Sequence, residues 1–269
     1  MAPTSSTAST ASTASTASTA STASTGPTPS PGPTPAIAGA RERARAEVRS
    51  AILETAGVHV ARDGAAALSL RAVARDLGMV SSALYRYFAS RDELLTALII
   101  EAYDSLGARV EADVDDTRDR PPAERWVSAA MAIRSWATGQ PQSYALLYGT
   151  PVPGYAAPED TVVPGTRVSR ALVRVVREAA NDGLLRPSPP GWVSVSAGTA
   201  DSLTDLRAEL DLDVGDDTVL MLLAAWTQLF GLLTFELFGQ IRNFVHDDEL
   251  LFRDAAHTMA RQLGLPDET

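Results

Sequence analysis

Enzymatic chemistry needs a nucleophile, a proton carrier or a metal ligand, and this chain offers few of them. It contains no cysteine, and all 23 of its basic residues are arginine. Without lysine there is no phosphate-gripping Walker A loop, no Schiff base and no kinase-type ATP lysine. Without cysteine, thiol nucleophiles, disulfides and thiolate metal sites are excluded. The three histidines are scattered, and no pair has zinc-site spacing, so neither a metal nor a cofactor is expected. Ser194-Val195-Ser196-Ala197-Gly198 approaches a nucleophile elbow, but it lacks the first glycine and no strand precedes it. The carboxylates are spread as on any acidic protein. These residues argue against an enzyme.

The chemistry that remains is recognition. Ser81-Ser82-Ala83 puts small side chains in the first turn of a short helix, and Leu84 and Phe88 follow at i, i+4 spacing on its other face. A helix that reads the major groove needs that division: an unobstructed first turn in front and an apolar anchor behind. Tyr85, Arg86 and Tyr87 remain around the exposed side, within reach of phosphates or base edges. Ser69, Arg71 and Arg91 add donors at the starts of neighbouring helices, where the helix dipole also favours phosphate. The blander reading is that Tyr85 and Tyr87 merely cover a small domain, or that the motif has become a protein-interaction module. The flanking turn and caps weigh against the first, and the exposed arginine and the small first turn against the second.

Helices must position these residues. Val48, Ile52, Ala56 and Val60 recur every four residues along 41–63, and Gly64 ends that helix. Ser69 is placed to cap a short helix with Leu70, Val73 and Leu77 inward; Gly78 breaks it, and Ser81 is placed to cap the next. Ser90-Arg91-Asp92-Glu93 reads as a capping box ahead of Leu94, Leu95, Leu98 and Ile99, opening a helix that runs past Tyr103. Further helices are predicted over 122–138, 141–148, 166–182, 192–210, 216–238 and 247–263. No stretch alternates well enough to argue for a sheet. The fold class is therefore all-α: a three-helix helix-turn-helix domain at 41–103, with its motif at 69–88, and a helical domain at 104–269. The connection at 149–165, rich in proline and glycine, is a candidate lid or pocket wall.

The first forty residues carry no charge, and Ser6 to Ala23 is six Ser-Thr-Ala triplets. Such a segment cannot offset its ordering entropy by burial and is expected to be a disordered tail. It also lacks the basic and apolar regions of a secretory signal. Charge is uneven in the rest: residues 41–100 hold 9 Arg against 7 Asp+Glu, while 101–269 hold 14 against 26, giving the overall −10. DNA contact must then be confined to the N-terminal region.

The run Leu70-Arg71-Ala72-Val73-Ala74, Leu77-Gly78-Met79, Leu84-Tyr85-Arg86-Tyr87-Phe88 and Ser90-Arg91-Asp92-Glu93-Leu94-Leu95 resembles the TetR family of bacterial regulators, without a gap from Arg45 to Tyr103. The resemblance implies that Ser81, Ser82, Ala83 and Arg86 face bases while Tyr85, Tyr87 and Arg91 hold phosphates. Tyr87 stands where that family often has histidine, and Arg91 where it often has lysine. Farther on, Trp136, Pro141, Tyr144-Ala145-Leu146-Leu147-Tyr148-Gly149-Thr150-Pro151 and Trp226-Thr227-Gln228-Leu229-Phe230-Gly231 resemble a regulatory domain common in actinobacterial members. Phe230 replaces the histidine of its Trp…His-Gly signature.

What the resemblance implies is a cytoplasmic homodimer on a palindromic double-stranded DNA operator, released by a small-molecule effector in the manner of a repressor. Trp136, Tyr144, Tyr148, Trp226 and Phe230 are candidates to line the effector pocket, against the commoner fate of aromatics as core packing. The almost wholly apolar run 219–233 is too short for a membrane span and contains a glutamine. It reads instead as a helix with one side on its own core and the other on a partner subunit. Helix 247–263 would join it through Leu251, Ala255 and Met259 in a four-helix dimer interface. Arg167, Arg170, Arg174 and Arg177 form a one-faced stripe, read as a solvated surface. His59 is read as a satisfied core histidine.

Overall fold

The structure, a computed structural model, describes residues 35–189 and 191–268, and every regular element among them is a helix or a short 3-10 turn. The Ser-Thr-Ala repeats lie outside the described residues. Residues 44–269 form one compact unit. Helix α1 (Pro35–Asp63) begins six residues before the position its periodicity suggested.

Helices α2 (Leu70–Asp76), α3 (Ser81–Leu84) and α4 (Arg91–Asp116) follow. Gly78 ends α2 at φ +65°. Met79 N donates back to Ala74 O at 2.8 Å and Gly78 N to Arg75 O at 3.1 Å, the paired bonds of a Schellman cap that a left-handed glycine permits. The capping box at α4 forms with one change: Ser90 Oγ accepts from Glu93 N at 3.0 Å, but Glu93 reaches Ala89 N, one residue earlier than the motif implies. Two expected caps do not form. Ser69 makes no side-chain bond at α2, and the cap position of α3 is Val80, which leaves Ser81 as the first helical residue.

The C-terminal helices are α5 (Pro122–Gly139), α6 (Pro141–Tyr148), α7 (Val162–Asn181), α8 (Ala197–Glu209), α9 (Asp216–Leu237) and α10 (Asp248–Gln262). The helix expected over 192–210 is shorter at its front, and Trp192 stands exposed in the turn before it. The long connection is shorter than anticipated because a 3-10 turn at Glu159–Thr161 and the start of α7 take up its second half.

Two apolar cores result. Ile52, Ala56, Val73, Leu84, Phe88 and Leu94 centre one; Val110, Trp126, Ile133, Leu172, Leu229 and Phe252 centre the other. Helix α4 belongs to both, with Leu94 to Ile99 in the first and Ala102 to Val114 in the second. Two arginines of the α7 stripe, Arg167 and Arg174, fasten that shared helix, while Arg170 faces water. Arg167 donates to Asp104 at 2.7 Å and to Glu111 at 2.5 Å, and Arg174 to Asp115 at 2.9 Å. Only Arg170 of the four has no ion-pair partner among the described residues.

Helix α9 is long and apolar enough to cross a membrane. Its Leu222, Ala225, Leu229 and Leu233 are nevertheless buried in the second core, so it is built as a packed helix of this fold.

Candidate nucleic-acid interface

Helix α3 has a single α-helical turn, continued by a tighter bond from Tyr87 N to Leu84 O and an α-type bond from Phe88 N to the same carbonyl. So short a helix cannot hold its own shape in water. Its rear face holds it: Leu84 and Phe88 are 0% and 1% exposed, sealed against the first core. The front face is open, with Ser81, Ser82, Tyr85 and Arg86 exposed and Ala83 half-buried. Arg71 and Ser69 of the preceding helix start are exposed as well. A helix fixed behind and free in front is the form required for entry into a major groove, about 12 Å wide.

Other predicted residues have partners of their own. Tyr87 is half-buried, and Arg45 of α1 lies 6.0 Å from its ring centroid; Arg49 lies 5.1 Å from that of Phe88. Sequence reasoning did not single out these two arginines, although they stand one helical turn apart, on the side of α1 that faces Tyr87 and Phe88. Arg91 is engaged within the protein as well. Its guanidinium donates to Ala65 O at 3.0 Å and to Ala66 O at 3.2 Å, tying α4 to the turn after α1. His59 is 5% exposed and its Nε2 sits 2.8 Å from Asp76 Oδ2, which joins α1 to α2. The hydrogen bond to His59 holds the Asp76 carboxyl below the ordinary aspartate range.

Two of the five aromatics expected to line a pocket are tied into the core by their own hydrogen bonds. Trp136 donates to Ser105 Oγ at 3.0 Å, and the buried Tyr144 hydroxyl reaches Phe230 O at 3.1 Å and Thr234 Oγ1 at 2.8 Å. With their polar tips satisfied by the protein, both are core residues. Phe230 stacks at 4.5 Å on Trp226 on one side and on Tyr148 on the other. The Tyr148 hydroxyl is buried without a partner, and burial pushes its pKa up.

A cavity of about 570 Å³ lies beside this stack, among α5, α7, α8 and α9. Of the five, only Trp226 lines it; Trp126, Arg170, Val173, Leu206 and Leu222 make up much of the rest. Trp126, the floor of this cavity, was not singled out because a tryptophan at core spacing carries no signal of what lies beyond it. The loop after α6 does not wall this cavity either. It packs Val152 and Tyr155 on the first core, with Tyr155 OH 2.9 Å from Thr96 Oγ1.

Residues 52–98 match the family described as bacterial regulatory proteins, tetR family, and residues 126–259 match the tetracyclin repressor-like C-terminal domain. An HTH-type transcriptional regulator of Mycobacterium tuberculosis, Rv1816, is 39% identical over 203 residues, spanning 75% of this chain and 86% of that protein. The chain belongs to the TetR family. It is a DNA-binding transcriptional regulator with the all-helical fold of that family, and its relatives are regulators rather than enzymes. Among solved structures, the regulatory protein SCO4313 superposes with a TM-score of 0.66 at 34% identity, covering 81% of this chain and 98% of that one. A Rhodococcus sp. RHA1 protein gives 0.61 at 25% identity, covering 80% and 95%.

Proposed function

We propose that this TetR-family regulator is a homodimeric repressor that binds a palindromic operator through Ser81, Ser82, Ala83 and Arg86, and leaves it when a small molecule enters the cavity at Trp226. The observation that carries the DNA reading is the two-sidedness of α3: Leu84 and Phe88 sealed behind, Ser81, Ser82 and Arg86 open in front. Tyr85 and Tyr87, with Ser69 and Arg71, serve the phosphates, and Arg45 and Arg49 extend that backbone contact from α1. Arg91 acts mainly by holding the turn at Ala65 and Ala66. Two copies of α3 in successive major grooves stand about 34–36 Å apart. A protein that works on chromosomal DNA in this way resides in the cytoplasm.

Apolar exposure supports the dimer. Leu223 and Phe235 of α9, Phe238 and Phe244 after it, and Leu250 of α10 are between 39% and 83% exposed. That is a large apolar surface for a monomer to leave in water. The interface proposed here draws on other residues than periodicity suggested. Met259 is 1% exposed and belongs to the protomer's own core, so α10 contributes Leu250 in its place, with Leu251 and Ala255 half-buried beside it.

The packing of α9 and α6 supports effector control. The cavity wall Trp226 stacks on Phe230, Phe230 on Tyr148, and the adjacent Leu147 packs on both cores. A ligand that favours one arrangement of this stack shifts α4 and the spacing of the paired α3 helices. The test is to sequence DNA fragments retained by the purified protein, then to measure binding to the recovered site against salt. Tight, salt-dependent binding to an inverted repeat, by a species of twice the protomer mass, is the expected result. A monomer, or no retained sequence, would overturn it.

A further inference from the structure

Val80 is 70% exposed and occupies the cap position of α3, where its side chain offers no oxygen to the helix. Serine, threonine, aspartate or asparagine at that position would stabilise the helix, and a β-branched hydrocarbon held in water gains nothing for the fold. Val80 directly precedes the exposed Ser81 and Ser82, and its carbonyl accepts from Ala83 N at 2.9 Å, which fixes it to the first turn. It is the most exposed large apolar residue of the N-terminal domain, ahead of Val58 and Tyr85.

The apolar feature on a major-groove base edge is the 5-methyl group of thymine, and apolar side chains read it by contact. We propose that Val80 is a specificity-determining residue that reads a thymine methyl in each half-site, adjacent to the base edges met by Ser81, Ser82 and Arg86. The assignment rests on the proposed docking of α3 in the major groove. The serines and the arginine satisfy hydrogen-bonding edges, while Val80 excludes water from the one edge that cannot hydrogen-bond.

The experiment uses the full-length protein and the operator recovered from retained DNA. Each thymine is replaced in turn by deoxyuridine, which keeps base pairing and removes only the methyl. One symmetry-related thymine position should lower wild-type affinity about fourfold per half-site, the effect of losing one buried methyl-sized contact. In Val80→Ser the thymine-to-deoxyuridine affinity ratio at that position should fall to about one. The variant restores a capping oxygen, so its melting temperature should not drop, and a lost ratio then reports recognition rather than unfolding. If no thymine methyl matters to the wild type, or if V80S keeps the ratio, the Val80 assignment falls while operator binding stands. Failure to retain any specific sequence would remove the docking of α3 and this assignment together.

Discussion

Replacing Leu84 by alanine tests whether α3 is held by its rear face and not by its own helical bonds. Leu84 is 0% exposed, and α3 has one turn and no side-chain cap. Leucine-to-alanine changes in cores cost about 2–5 kcal/mol, the sum of lost transfer energy and the remaining cavity. We take about 3 kcal/mol, because Phe88 and Val73 beside it are themselves close to fully buried and have little freedom to fill the gap. Each 1.4 kcal/mol is about a factor of ten in an equilibrium constant, so amides of α2, α3 and the first half of α4 should exchange with deuterium roughly 100-fold faster. Peptides from α5, α7 and α10, whose side chains lie in the other core, should keep wild-type protection if the first core opens as its own unit. All four tryptophans, at 126, 136, 192 and 226, lie outside the first core, so the emission spectrum should stay native. Peptide-resolved exchange by mass spectrometry reads both predictions. Uniform acceleration across all peptides would refute the two-core reasoning. A change below about tenfold in α2 and α3 would refute the anchoring role of Leu84.

Arg86→Ala should weaken operator binding by about 1–3 kcal/mol and relax the preference at one base position, as competition gel shifts with single-base variants would show. Tyr144→Phe removes the donor to Phe230 O and the partner of Thr234 Oγ1. It should cost about 1–2 kcal/mol, read from the denaturant midpoint followed by tryptophan emission, without a direct effect on DNA contacts. Glu111 is held below the ordinary glutamate range by its hydrogen bond to Arg167. A depressed carboxyl stabilises the fold above its unfolded-state pKa, and that stability is lost as pH falls through the folded-state value. Wild type should therefore exceed Glu111→Gln in stability at neutral pH, and chemical denaturation at a series of pH values should show the gap closing in acid.

The sequence alone determined the elements and the orientation of most buried residues. Val48, Ile52, Ala56 and Val60, or Leu84 with Phe88, declare an inward face because helical spacing leaves few other arrangements. Gly78 and Gly183 mark helix ends because φ near +65° and +68° suits a residue without Cβ. The open front of α3 follows from the same pattern, since the residues opposite Leu84 must point away from the core. Periodicity says that a side chain faces inward or outward, but it does not say what it meets there. Arg91 and Arg167 look alike as charged surface residues, yet contacts with residues far along the chain turn one into a tie to two carbonyls and the other into a clamp on α4. The cavity lies beside the predicted aromatics because the partners of Trp136 and Tyr144 absorb their polar tips, while the meeting of α5, α7, α8 and α9 leaves space at Trp226. Such spaces belong to gaps between helices, and a gap has no residue of its own in the sequence.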